Sequence, residues 1–512
     1  MTLYSDNTKW LPRLNILALL VPTTMLFGCA SVGPDFIQPE PPADNGYNVK
    51  KLPEHTVSAP GARMGEMQNF AIGKKVPETW WQNFGSSKLN AFVDQALHAS
   101  PSLAAAQATL LQAQQTYAAQ SGSSQYPQVN AKLGAQRQGT NNSGMGLAGG
   151  DRVFELYNAG VAVSYNLDLF GGNKRALESY AAQIDYQHYQ LEGARLTLAA
   201  NVVTAAMMQA QYAAQILASN AILAAQQSQL DITRKRVKLG AVSRSDELSL
   251  QTQVEQTRAG IPTLRNKLEQ TNHLLAVLAG QAPGATEIPQ FHLEDFSLPT
   301  ELPVVVPSEL VRQRPDIQAS EALLHVASAQ YGVAISNGYP QINLTANLGS
   351  QALTASSLFG AGSLVWGLAG QIAQPLFNAG LKAGVKSAEA GFDAAAANYR
   401  QTVLQALRNV ADVLRTLDND AQTMQAQVAA NEAAQSALNL IQQQYQLGGL
   451  SYLQLLSAQQ QTQQTRINLI AAQIQRLTDT AALYQAMGGG WVAGDSHAKP
   501  VDIPKSADTA VN

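Results

Sequence analysis

The only thiol in the chain is that of Cys29, directly after Leu26-Phe27-Gly28. A lone cysteine excludes an internal disulfide and a cysteine-based zinc site. The seven histidines are scattered. His188 and His273 lie on helical stretches without metal-ligand neighbours, so packing or surface roles are expected for them. No nucleophile–base pair or metal constellation is legible, so the expectation is a protein that is not an enzyme and binds neither cofactor nor metal. Gly144-Met145-Gly146-Leu147-Ala148-Gly149 satisfies the GxGxxG spacing. It sits in a Gly/Asn-rich connection and opens no helix, so an external loop is expected there rather than a nucleotide site. Asp418 and Asp420, on a long helical stretch, are expected to be solvated.

The context of Cys29 gives its thiol a role. Lys9 and Arg13 precede an apolar stretch from Leu14 to Phe27, and Gly28 follows as the small residue before the cut. That is the layout of an export signal, not of a spanning helix. Leu26-Phe27-Gly28-Cys29 resembles a bacterial lipobox, in which the thiol is diacylated and becomes the mature N-terminus. Ala30 and Ser31 follow with no Asp, which implies sorting to the outer membrane. Acyl chains anchor at about 0.8 kcal/mol per buried CH₂. No later segment offers the roughly 18 apolar residues of a spanning helix. The richest, Leu196 to Met208, is interrupted by Thr197, Asn201 and Thr204. Any crossing by the mature chain is therefore expected to use strands. With charged residues at 13 % and net charge −3, no basic surface stands ready for nucleic acid.

The chain repeats itself. Tyr126-Pro127-Gln128-Val129-Asn130 recurs as Tyr339-Pro340-Gln341-Ile342-Asn343, and Leu169-Phe170 before glycine recurs as Leu376-Phe377-Asn378-Ala379-Gly380. Val237-Lys238-Leu239-Gly240-Ala241-Val242-Ser243 recurs as Tyr445-Gln446-Leu447-Gly448-Gly449-Leu450-Ser451, and Leu275 to Gly280 as Leu483 to Gly488. Each half predicts helix, strand, loop, strand, very long helix, tight turn, helix. The long helices are expected over Gly172–Leu239 and Leu381–Leu447; about 67 residues at 1.5 Å each span about 100 Å. Val403, Leu407, Val410, Leu414, Leu417, Ala421, Met424 and Val428 alternate steps of four and three. Leu453, Leu456, Gln460, Gln463, Ile467, Ile470, Ile474 and Leu477 do the same, as coiled-coil seams do. The strands show period two. Val161, Val163, Tyr165 and Leu167 alternate with Ala162, Ser164 and Asn166, and Ile342, Leu344, Ala346 and Leu348 with Asn343, Thr345 and Asn347. That pattern fits a membrane barrel with a wet interior and equally a half-buried sheet; the export signal favours the barrel. Four strands per chain are too few to close, since the smallest bacterial barrels have about eight. Chains must pool strands, and a dimer and a trimer both remain open.

Further motifs point to a family. Val32-Gly33-Pro34-Asp35-Phe36-Ile37-Gln38-Pro39, Trp80-Trp81-x-x-Phe84 with Leu89, Leu97 and Pro101-Ser102-Leu103, Leu310-Val311-x-x-Arg314-Pro315-Asp316-Ile317-x-Ala319-x-Glu321, and Met487-Gly488-Gly489-Gly490-Trp491 follow one another along the chain. Together they resemble the TolC family of outer-membrane efflux lipoproteins, of the OprM/NodT type. The resemblance covers Cys29 to about Trp491. It implies an α+β membrane protein whose trimer forms a 12-stranded β-barrel continuous with a long 12-helix α-barrel. It further implies partners: a periplasmic membrane-fusion adaptor and an inner-membrane transporter of the RND or MFS design. The implied activity is passive export of drugs or other small toxic solutes, and the competing expectation is a non-conducting coiled-coil envelope lipoprotein.

The expected organisation is a signal peptide over 1–28, a lipidated extended segment over 29–79, a first repeat over 80–281, a linker over 282–306, a second repeat over 307–491 and a disordered tail over 492–512. The turns at Leu239, Gly240, Ala241, Val242 and Ser243 and at Leu447, Gly448, Gly449, Leu450 and Ser451 need glycine as helix C-caps. The resemblance makes them adaptor-docking tips as well. It also puts a periplasmic gate at Leu453 and Ser457. Several members carry Asp at the position of Ser457, and Asp246 beside Arg244 and Glu247 is the alternative source of charge, weighed against a plain solvated turn.

Overall fold

The computed structural model describes residues 31–43, 46–140, 152–285 and 287–491. The leader 1–28, Cys29, the GxGxxG stretch and the tail 492–512 lie outside the described residues. In chain order the elements are β1 (Asn69–Ile72), α1 (Ser87–Ala99), α2 (Pro101–Gln125), β2 (Gln128–Thr140), β3 (Arg152–Leu167), α3 (Gly172–Lys238) and α4 (Arg244–Leu278). Then come β4 (Glu301–Val304), α5 (Pro307–Gln313), α6 (Pro315–Ser336), β5 (Gln341–Ala352), β6 (Leu364–Ala373), α7 (Ala379–Gln446) and α8 (Tyr452–Ala486). The two longest helices have 67 and 68 residues, as the repeat predicts. No helix among the described residues is long and apolar enough to cross a membrane.

The residues divide into two compact units. Among the described residues, the first takes in 31–38 together with those of Leu110–Tyr186 and Glu321–Asn398. It contains one antiparallel sheet in the order β2-β3-β5-β6, so strands from the two repeats pair directly. The register sorts side chains by face. Val161 lies between Ala131 and Leu348, and Leu348 opposite Trp366. One residue along, Ala162 lies between Asn130 and Asn347, and Asn343 opposite Gln371. Leu133, Leu348, Trp366, Leu368 and Ile372 are all exposed on the apolar face. At Gly160 and Gly349 the neighbouring strands approach so closely that a Cβ on either would meet backbone at 2.7 and 2.5 Å.

Residues 31–38 are fastened inside this unit. Val32 N–H donates to the Phe170 carbonyl at 3.0 Å. Arg175, buried on α3, donates to the carbonyls of Val32 and Gly33 at 3.2 Å each and to Asp35 and Glu178 at 2.7 Å each. His325 bonds Glu178 at 2.9 Å and stacks on Phe36 with ring centres 4.3 Å apart.

Among the described residues, the second unit takes in those of Pro39–Thr109, Gln187–Ser320 and 399–491. Here β1 pairs in parallel with β4. The preceding strap is held by Arg476 of α8, which donates to the carbonyls of Met64 (2.5 Å) and Glu66 (3.0 Å) and to Gln68 Oε1 (2.9 Å). The Trp80-Trp81-x-x-Phe84 motif forms an aromatic core, with Trp80 stacked on Tyr484 at 5.5 Å. The α7 seam is buried at Val403, Val410, Leu414, Leu417, Ala421 and Met424, as its spacing predicts. The α8 seam differs near its start. Leu453 and Gln460 are exposed, while Tyr452, Leu455, Thr462 and Thr465 are buried. Threonine succeeds there because Thr462 Oγ1 returns its bond to the helix, to Ala458 at 2.9 Å, and reaches Ala434 of α7 at 3.1 Å. A second correction concerns Asp420, expected to be solvated. It is half-buried, and Oδ2 is shut off from solvent.

Candidate functional site

The site is a pair of helical hairpin ends in the second unit. Each closes the same way. After α3, Gly240 takes φ of +72°, its N–H reaches the Val237 carbonyl at 3.0 Å, and Ala241 N–H reaches Arg236 at 2.9 Å. After α7, Gly448 takes φ of +79°, with Tyr445 accepting at 3.1 Å and Gln444 accepting from Gly449 at 2.9 Å. These paired bonds satisfy carbonyls that a helix end leaves open, and only glycine enters that conformation without strain. The next helices start with matching caps. Ser243 and Asp246 exchange backbone-to-side-chain bonds at 3.2 Å, and Gln454 accepts from Ser451 N–H at 3.0 Å.

The turns expose leucine at their tips, Leu239 and Leu447. Just inside, the two hairpins pack together. Leu230 of α3, Leu250 and Val254 of α4, Tyr445 of α7, and Tyr452, Leu455 and Leu456 of α8 form one buried cluster. Tyr445 and Tyr452 meet edge to face at 5.9 Å, and Arg236 sits 5.6 Å from the Tyr445 ring centre. Both tyrosine hydroxyls are buried without a hydrogen-bond partner. Burial raises the Tyr452 hydroxyl well above the usual tyrosine range, with Tyr445 and Asp246 adding to the effect. Leaving such groups unpaired costs about 1–3 kcal/mol each. The contact between the hairpin ends is therefore weaker than its apolar packing alone implies.

Leu453 and Ser457 are both exposed, one turn apart on α8. Asp246 and Arg244 are otherwise occupied. Asp246 serves the Ser243 cap. Arg244 binds Glu247 at 2.5 Å, and Arg234 of α3 approaches the same nearly buried carboxylate at 3.5 Å. From the sequence, Glu247 was legible only as a neighbour of Asp246, and the two tyrosines had no role. The signal was there in the repeat, because Tyr445, Tyr452 and Leu455 stand where the first half has Val237, Arg244 and Glu247.

The sequence profile described as "Outer membrane efflux protein" matches residues 92–281 and 306–489. The chain is 26 % identical over 470 residues to the probable outer membrane lipoprotein SilC of Salmonella typhimurium, covering 91 % of this chain and 97 % of the relative. It is 30 % identical over 348 residues to the solvent efflux pump outer membrane protein SrpC of Pseudomonas putida, covering 67 % and 73 %. Among solved structures it resembles the outer-membrane channel OprN, with a TM-score of 0.81 at 26 % identity over 90 % of this chain and 100 % of that one.

Proposed function

The chain belongs to the outer membrane efflux protein family, and from that premise we propose that three copies pool their strands into a closed barrel. Through that barrel drugs or other small toxic solutes leave the cell. One observation carries this reading: the β2-β3-β5-β6 sheet has an apolar face and a polar face, and both of its outer strands, β2 and β6, lack a neighbour among the described residues. Open edges are intolerable in lipid, where each unpaired backbone group costs several kcal/mol. Three sheets of four supply the twelve strands of a closed ring, and the resemblance to the TolC family favours three over two. The apolar face then meets lipid and the polar face lines the passage.

Cys29 carries the acyl anchor in the outer membrane. The helices reach into the periplasm, and their turns at Leu239–Ser243 and Leu447–Ser451 receive a periplasmic membrane-fusion adaptor. That adaptor joins the duct to an inner-membrane RND or MFS transporter. Leu453 and Ser457 stand at the narrow end, and parting of the hairpin ends at Tyr445 and Tyr452 opens it. A stalk without a pore has no use for a sheet sorted in this way.

Native mass spectrometry of the detergent-extracted mature protein should read three chains, each with a lipid adduct on Cys29. A water-soluble monomer without the adduct would end the proposal.

A further inference from the structure

The two hairpin ends share one backbone and differ in charge. At a spacing of 208 residues (Gly240 to Gly448), every charged side chain around the first turn meets a neutral one around the second. Along the helix entering the turn, Asp231, Arg234, Lys235, Arg236 and Lys238 correspond to Asn439, Gln442, Gln443, Gln444 and Gln446. Along the helix leaving it, Arg244, Asp246, Glu247 and Glu255 correspond to Tyr452, Gln454, Leu455 and Gln463. Seven of these nine replacements are amides, and no residue from Ala433 to Thr465 carries a charge. A merely solvated coiled-coil face would carry charges of both signs, as the first hairpin does.

Part of this neutral surface is open on one face of α8. On α8 the residues Leu453, Ser457, Gln460, Gln461 and Gln464 recur at helical spacing and are all exposed. The charges of the first end are largely engaged. Arg234 and Arg244 face Glu247, Asp246 serves its cap, and Arg236 covers Tyr445. Lys235 and Lys238 remain exposed, so the residual field there is positive.

We propose that the exposed stripe of α8 lines the narrow end of the duct as an uncharged amide collar, which selects by size and hydrogen bonding and passes organic anions as readily as cations. This rests on the duct reading above. A ring of carboxylates would concentrate cations and repel anions, whereas an amide both donates and accepts and favours neither sign.

The test is reversal potential in planar bilayers under a salt gradient, using the full-length mature protein. Tyr445→Ala serves as an opened form, because it loosens the hairpin contact without altering charge. The expected cation-to-anion permeability ratio is within about threefold of one, with benzoate carrying measurable current. Ser457→Asp and Gln461→Asp, both on the stripe, should each raise the ratio about tenfold and create block by a trivalent cation. Strong cation selectivity in the unsubstituted protein overturns the collar, and so does an unchanged ratio in both Asp variants. Those results leave the duct standing. Absence of conductance in the Tyr445→Ala form as well removes the duct and the collar with it.

Discussion

Asp420 on α7 faces Asp479 on α8 across the helix seam, and Asp420 Oδ2 is buried there without a hydrogen-bond partner. Burial is the main reason that Asp420 holds its proton up to about pH 7; Asp479 adds to the effect, and Arg476 opposes it. The folded chain therefore keeps a proton that the unfolded chain releases near 3.8. Stability from this contact is complete at acid pH and declines as pH rises towards 7. Asp420→Asn should be more stable than the parent at about pH 8 by about 1 kcal/mol, a figure discounted because the site is partly open to solvent. The advantage should vanish at about pH 4. Thermal melts of the detergent-solubilised protein at the two pH values read it directly.

The two sheet faces make opposite predictions three residues apart on β6. Leu368 lies on the apolar face opposite Ala346, and Gln371 on the polar face opposite Asn343. Leu368→Arg should block membrane insertion, since a cation on the lipid face costs about 2–4 kcal/mol per copy near mid-bilayer. Gln371→Arg should insert normally and shift conductance instead. Heat-modifiable migration on gels separates inserted from uninserted protein.

Neither Gly240 nor Gly448 has a heavy atom within 4 Å of where a Cβ would stand. Alanine and leucine, both unbranched at Cβ, face similar strain there, about 1–2 kcal/mol, and differ in bulk. Trimers should survive both substitutions. Export should fall with bulk, so that leucine abolishes it and alanine spares part. Equal loss with both residues would make the turn a matter of backbone strain alone, and normal export with leucine would remove it from the docking surface.

The Arg175 clamp predicts an unequal pair of effects. The guanidinium is 3 % exposed, and Asp35 is 89 % exposed. Asp35→Ala should cost less than about 1 kcal/mol, as surface ion pairs do. Arg175→Ala leaves Glu178 with His325 alone and frees two carbonyls, at about 1–3 kcal/mol. Hydrogen exchange at the Val32 amide should speed up only in the second variant. Burial opposes ionisation of Glu178, but hydrogen bonds from Arg175 and His325 outweigh it and hold its carboxyl below the ordinary 4.5. Its share of the clamp is thus present above that value and fades as pH falls through the depressed one.

What the sequence disclosed was local. Gly240 and Gly448 announce their turns because positive φ needs glycine, and Val161 to Leu167 announce a strand because period two is visible within one segment. Partnerships between distant residues were hidden. Nothing near Asp420 reveals that Asp479 lies opposite, and nothing near Arg175 reveals the carbonyl of Val32. The pairing of β3 with β5, which joins the two repeats, is likewise invisible in either strand alone. Leu453 was misread as a seam residue because heptad spacing does not distinguish a helix face turned inward from one left open beside it.

The helices leaving the two turns, α4 and α8, have 35 residues each. Equal lengths across a duplication have an evolutionary consequence. An insertion of one residue in either helix would lengthen it by about 1.5 Å and rotate everything beyond it by about 100°. Its counterpart would stay behind, and the paired landmarks of the two halves would fall out of step. Indels in these arms should therefore survive only as matched pairs or as whole heptads, while point substitutions accumulate freely, as the contrast in charge between the two ends already illustrates.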